Sequence, residues 1–259
     1  MRARVLGMGL WMAGFPDVAS WLSNSAVAGA DVPNAQSKQR RRSSLLVNMV
    51  ADVAAQASAQ SGVPLSRARV VVGSAFGELT TLVEMLEERE RDGLLSPLRF
   101  QNSVHNSAAG QLSIAAKNKA PAMSLAAGND TVAMALLEAM TLLALGGDEV
   151  LAIVADEALP PAIRPGPVTG AVSAALLLAA DRPGAEAPPG LGVLEDLRQT
   201  PVGPVERPQE VDGPCTAILP LIAALGRGQA GRVSVSPTED PRWSITVRDA
   251  RTVRDARSA

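Results

Sequence analysis

Tyrosine is absent from the 259-residue sequence, and aromatic residues together make up only 2% of it. That leaves little from which to build stacking platforms for bases or sugar rings. There is a single Cys, Cys215, and a single His, His105. One Cys rules out an internal disulfide and a CxxC-type metal site. A net charge of −2 gives no electrostatic case for a nucleic-acid partner. No apolar run reaches transmembrane length, and the Met1–Gly14 stretch lacks an A-x-A cleavage pattern. The expectation is a soluble, cytoplasmic protein without metal or cofactor. What is present is apolar residue, at 47% of the chain, enough for one large domain or a domain with a small appendage.

Val5, Leu6, Met8 and Leu10 surround Gly7 and Gly9, which reads as a first strand with a close backbone approach. Pro16 and Asp17 open a short helix through Trp21 and Leu22. The basic run Lys38–Arg42 reads as a solvated loop in preference to a docking patch for an acidic carrier protein or lipid. Ser43 or Ser44 caps the next helix, whose face carries Leu46, Met49, Val50, Val53 and Ala57. Arg69–Gly73 is a β-branched run typical of a strand buried on both faces. After Ser74-Ala75-Phe76-Gly77, an amphipathic helix runs from Glu78 to about Arg91, with Leu79, Leu82, Val83 and Leu86 as its apolar stripe. Ala108 to Ala116 makes a small-residue helix. Glu149–Ala155 and Gly170–Ala180 are two more buried strands, and the strand–helix alternation supports a layered α/β sheet. Asp156 and Glu157 are adjacent on a strand and point to opposite faces, so they do not share chemistry.

From Asp181 onward prolines multiply. A strand at Leu191–Leu197, a Pro220-interrupted helix over Pro214–Leu225, and a hairpin from Arg232–Ser236 and Trp243–Val247 are the elements expected there. The organisation read from the sequence is a domain over 1–181, an extension over 182–245 and a flexible tail over 246–259. Cys215, with no cationic neighbour in sequence, reads as a small buried residue. His105, with no carboxylate within helical reach, reads as a hydrogen-bonded structural residue.

The most informative stretch is Ala120 to Gly146. A short apolar run ends at Gly128, and a helical pattern follows with Val132, Leu136, Ala139, Met140 and Leu143 in phase. Asn129, Asp130 and Thr131 stand where an N-cap belongs. Strand-to-helix elbows of this kind aim one side chain at the positive end of a helix dipole, where a Cys or Ser would be activated. This elbow carries an amide instead.

Pro121 to Asn129 resembles the strand-and-elbow signature of β-ketoacyl synthases, with Asn129 at the position of the acyl-accepting Cys. Asn102 to Ile114 resembles that family's buried helix, with Asn106 and Gly110 matching, and Gly73 to Gly77 resembles its strand-to-helix turn at the dimer interface. Among family members the chain is most similar to the short chain length factors of aryl polyene and polyketide type. The resemblance implies a thiolase-like three-layer α/β/α half, with a mixed, mostly parallel five-stranded sheet containing one antiparallel strand. It implies a degenerate elbow at Asn129, no catalytic residue of the family's kind, and no cofactor or metal, because the two catalytic His residues belong to a second half that a chain of this length lacks. The implied chain-length gate is Phe76, Leu79, Thr80 and Val83, and the implied dimer interface is Met123, Ser124, Leu125, Ala126, Ala127 and Asn106. The expected partner is a full-length ketosynthase in a heterodimer, with an acyl carrier protein as a further partner. Two alternatives stand beside this reading. One is a homodimeric acyl or acyl-carrier-protein binding protein, and the other a ketosynthase-like acyltransferase using Ser124, Thr131 or His105.

Overall fold

Two glycines decide how the first layer packs. In β1 (Arg2–Met12), a Cβ on Gly7 or Gly9 would stand 2.3 Å from the carbonyl oxygens of Ala57 and Val53 in α2 (Leu45–Ser61), so only glycine permits this approach. The helix in turn accepts hydrogen bonds from the strand, Met8 N–H donating to Gln60 Oε1 at 2.8 Å and Leu10 N–H to Gln56 Oε1 at 3.1 Å. The computed structural model describes residues 1–30, 32–33, 43–163, 170–181, 190–200, 213–237 and 242–250. The Lys38–Arg42 run lies outside them.

The remaining elements, in chain order, are α1 (Val18–Leu22) before α2, then β2 (Arg69–Gly73), α3 (Leu79–Asp92), α4 (Pro97–Asn102), α5 (Ser107–Ala115) and β3 (Ala122–Leu125). There follow α6 (Thr131–Ala144), β4 (Glu149–Asp156), β5 (Val172–Ala180), β6 (Gly192–Thr200), α7 (Leu219–Gly226), β7 (Gly231–Ser234) and β8 (Arg242–Arg248). Their ends follow local chemistry. Asp17 and Ser20 form a reciprocal capping box on α1, and Ser44 Oγ accepts from Val47 N–H at the start of α2. Pro220 sits in the first turn of α7, where its missing N–H costs nothing, and a 3-10 turn over Pro214–Ile218 precedes it.

Among the described residues, eight strands join one sheet in the order β3-β2-β4-β5-β1-β6-β8-β7. The expected three-layer α/β/α class is present, but the sheet differs from the five mostly parallel strands expected. Only β2–β3 and β2–β4 are parallel, while β1–β5, β1–β6, β4–β5, β6–β8 and β7–β8 are antiparallel. The reason lies in the connections. Parallel neighbours require a crossover: α3, α4 and α5 intervene between β2 and β3 and α6 between β3 and β4, whereas among the described residues no helix lies between β4 and β5 or between β5 and β6. The three strands after Asp181 extend the same sheet from β1 outward. Thr246–Arg248, expected in a flexible tail, close β8 instead, and residues 251–259 lie outside the described set.

Strand residues alternate between two cores. Val71, Val150, Ala152 and Val154 face α6 and α7, with Val132, Leu136, Met140 and Ile222. Val70, Val72, Leu151 and Ile153 face α2 and α5, with Met49, Val53 and Leu112. One element stands apart. Of α3's apolar stripe, Leu79, Leu82 and Val83 are only half-buried and Leu86 is 50% exposed, leaving Met85 as its one buried residue. Among the described residues, no helix is long and apolar enough to cross a membrane.

Candidate functional site: two neighbouring strand-to-helix turns

The parallel strands β2 and β3 end side by side, so the turns that follow them share one end of the sheet. The first turn, Ser74–Gly77, is tightly held. Asp156 Oδ1, at the end of the neighbouring parallel strand β4, accepts from Ser74 Oγ–H at 2.8 Å, Ala75 N–H at 2.9 Å and Phe76 N–H at 3.2 Å. Ser74 Oγ accepts in turn from Gly77 N–H at 2.8 Å. On the other side, His105 Nε2 donates to the Ser74 carbonyl at 2.9 Å. Gly77 has φ +56 and lies so close to the imidazole that a Cβ would come within 2.7 Å of His105 Cδ2. His105 is thus the hydrogen-bonded structural residue expected from the sequence. The turn pushes Phe76 outward, leaving it 37% exposed, with Leu79, Thr80 and Val83 half-buried behind it along α3.

Three carboxyl groups surround this turn in low-dielectric surroundings. Burial raises the Asp156 pKa despite the donors it gathers. Burial also raises Glu157, opposed by the Thr80 hydroxyl and by Leu46 N–H, which reaches its Oε1 at 2.6 Å at the start of α2. Glu78, the residue before α3, is only 2% exposed. Burial drives its pKa up to about 7, against the hydroxyls of Ser44 and Thr81 and with Glu157 adding to the rise. Asp156 and Glu157 do point to opposite faces: the first meets the turn, the second the start of α2. The Cys215 thiol is fully buried beneath, its pKa raised by burial and by Asp156, so no thiolate is available there. A cleft of about 30 Å³ lies between Phe76, Asp156, Gly213 and Cys215.

The second turn is simpler. After β3, Gly128–Asp130 form a single 3-10 turn and α6 begins at Thr131. The expected cap is not built from the Asp130 carboxylate, which makes no capping bond. Thr131 holds the turn instead: its Oγ1, in a fully buried residue, donates to Gly128 O at 2.7 Å and accepts from Ala127 N–H at 3.1 Å. Its short hydroxyl reaches these groups from inside the helix, a competition between side chain and backbone that spacing alone does not reveal. Asn129 stands exposed at the elbow.

β3 occupies the edge of the sheet. Met123, Ser124 and Leu125 are half-buried, whereas Ala126, Ala127 and Asn106 are exposed. The segment between β2 and β3 also carries a series of uncovered apolar side chains, Leu86, Leu94, Leu95, Phe100, Val104 and Ile114, each between 42% and 78% exposed. Ser124, Thr131 and His105, the alternative reactive groups, are not hydrogen-bonded to one another among the described residues. Among those residues no cluster of His, Cys, Asp or Glu could hold a metal ion.

Sequence reasoning missed the Asp156 network and the burial of Glu78. One signal was available for the first: a polar residue at the C-terminal end of one parallel strand meets the turn leaving the next.

Residues 16–188 match the model of the family described as "Beta-ketoacyl synthase, N-terminal domain". No curated protein matches the chain's sequence. Among solved structures, the chain is similar to one from the ketosynthase ApeO in complex with its chain length factor ApeC, from Xenorhabdus doucetiae. The TM-score is 0.69 at 22% identity, covering 95% of this chain and 99% of that one. It is also similar to the ishigamide ketosynthase/chain length factor, with TM-score 0.63 and 17% identity over 77% of this chain and 67% of that one. A third similar structure is AntDE:AntF, a type II polyketide synthase acyl-carrier protein in complex with its ketosynthase, with TM-score 0.64 and 16% identity over 78% of this chain and 69% of that one. At these identities the likeness is one of fold. Because the family match spans well over half of the sequence, the chain belongs to the beta-ketoacyl synthase N-terminal domain family.

Proposed function

We propose that this chain is a non-catalytic chain length factor that pairs with a full-length ketosynthase and walls off the acyl tunnel at their interface. The pathway class is aryl polyene, polyketide or fatty-acid-like synthesis. The observation that carries the reading is the edge strand β3 with the exposed Asn129 elbow after it and, on the segment leading into it, the uncovered apolar side chains from Leu86 to Ile114. An amide at the elbow forms no thioester, so acyl transfer falls to the partner. An open strand edge and apolar residues without a core of their own call for a protein partner. The fold neighbours described as ketosynthase and chain length factor complexes make a ketosynthase the partner of choice.

Phe76, Leu79, Thr80 and Val83 then form the gate, with Phe76 stopping the growing chain by excluded volume. Co-expression with the ketosynthase encoded beside it, purification through a tag on this chain, and size exclusion test the pairing. A stoichiometric complex that stops making chains once the partner's cysteine is replaced supports the reading. Recovery of this chain alone as a stable dimer sinks it and favours a binding protein acting without a synthase.

A further inference from the structure

The gate residue Phe76 does not hold its own position. It lies in a turn whose backbone is fixed by a strand more than one element away, and this goes beyond naming the tunnel residues. We infer that Asp156 is a positioning residue for chain length, acting through the Ser74–Gly77 turn to fix the direction of Phe76, with His105 as the opposing brace. The inference rests on the tunnel reading above.

The geometry is specific. One oxygen, Asp156 Oδ1, gathers three donors from three consecutive residues, Ser74, Ala75 and Phe76, and the last of these is the backbone N–H of the gate residue itself. The Ser74 hydroxyl relays the constraint to Gly77 N–H, closing the turn before α3. His105 bonds the Ser74 carbonyl from the other side and presses against Gly77, which has no side chain to resist. Asp156 is 4% exposed, and Cys215 from the 3-10 turn before α7 packs beneath it, its Sγ 3.9 Å from Gly73 O. Phe76, by contrast, is exposed enough to contact a chain or a partner. The acceptor therefore lies inside while the side chain it aims lies outside. A carboxylate is not required for this task, only an oxygen at that point, because all three partners donate.

The test uses the heterodimer and reads the product length distribution alongside complex yield. Phe76→Ala is expected to shift products toward longer chains by about one extension unit or more, because removing the ring opens space at the gate. Asp156→Ala is expected to shift or broaden the distribution in the same direction. Asp156→Asn, which keeps an acceptor oxygen, is expected to restore the native lengths. In the Phe76→Ala background, Asp156→Ala is expected to add nothing, since residues that act through one another are non-additive. If Asp156→Ala does not assemble with the partner, Ser74→Ala takes its place, leaving the acid in position while removing the relay. Native lengths from Asp156→Ala or its Ser74→Ala substitute, with Phe76→Ala still shifting them, overturn the positioning role and leave the tunnel reading standing. An additive double variant also overturns it. Native lengths from Phe76→Ala itself overturn the tunnel reading and the inference with it.

Discussion

The two turns at the end of β2 and β3 begin alike, each a strand that stops and a helix that starts, and they end in opposite designs. The first is braced by Asp156 and His105, bordered by three buried carboxyl groups, and projects a phenyl ring. The second is held by the Thr131 hydroxyl and presents an uncharged amide to solvent. In a catalyst of this family the second turn would carry the chemistry. Here the constraint is concentrated at the first. On the function proposed above, shape rather than nucleophilicity is what this end of the sheet maintains.

The largest effect expected from this contrast is electrostatic. Glu78 has a pKa raised from 4.5 to about 7, so the folded state holds a proton that the unfolded chain has released across that interval. Stability is then fully present below pH 4.5 and is lost as pH rises through about 7, by at most about 3 kcal/mol. Asp156 and Glu157, also raised by burial, act in the same direction. Thermal unfolding followed across that range should show a midpoint that falls as the pH increases. Glu78→Gln, a permanently neutral mimic, should flatten this slope and stabilise the protein on the alkaline side. A midpoint that rises with pH, or a slope untouched by Glu78→Gln, would mean that the first turn is not the buried acidic centre described here.

A smaller effect is expected from Ser74→Ala. The hydroxyl donates to Asp156 and accepts from Gly77 N–H, and its residue is 1% exposed. Removing it leaves a buried donor and a buried carboxylate oxygen each short of one partner, at a cost of about 2 kcal/mol. Denaturant unfolding with an unchanged m-value would register this as a shift in midpoint. A shift near zero would show that Asp156 and His105 hold the turn without the Ser74 hydroxyl.

The parts of this arrangement that were legible in the sequence are the local ones. Gly7 and Gly9 announced a close approach, Ser44 a cap, Val70–Val72 a buried strand, and Cys215 a small core residue, because each follows from periodicity or turn chemistry within a few positions. Strand direction was not legible, since β5 and the later strands take their sense from connections rather than from their own residues. The bracing of Phe76 was hidden for a similar reason: its acceptor lies 80 residues away, and the polar residue that ends the strand at Asp156 does not by itself name the turn it meets. Helical phase placed Glu78 just ahead of the apolar stripe of α3, which does not show that the sheet end and Ser44 close over it. At the second turn, the motif located the elbow but left its cap open among Asn129, Asp130 and Thr131, and only the helix geometry chooses between them.

The smallest effect should come from the elbow itself. Asn129 is exposed, lies in a single 3-10 turn, and leaves the staple to Thr131, so Asn129→Ala removes neither a buried contact nor the cap. A surface change of this kind alters stability by no more than about 0.5 kcal/mol. On the proposed function no acyl group is handed to the amide, so product yield and length from the heterodimer should also stay as they are. This near-null result is the sharpest statement of the contrast between the turns: alanine at Phe76 changes what the complex makes, and alanine at Asn129 does not. If Asn129→Ala abolished synthesis while the complex remained intact in size exclusion, the second turn would be working chemically. The non-catalytic reading would then fail even with Phe76 still acting as a gate.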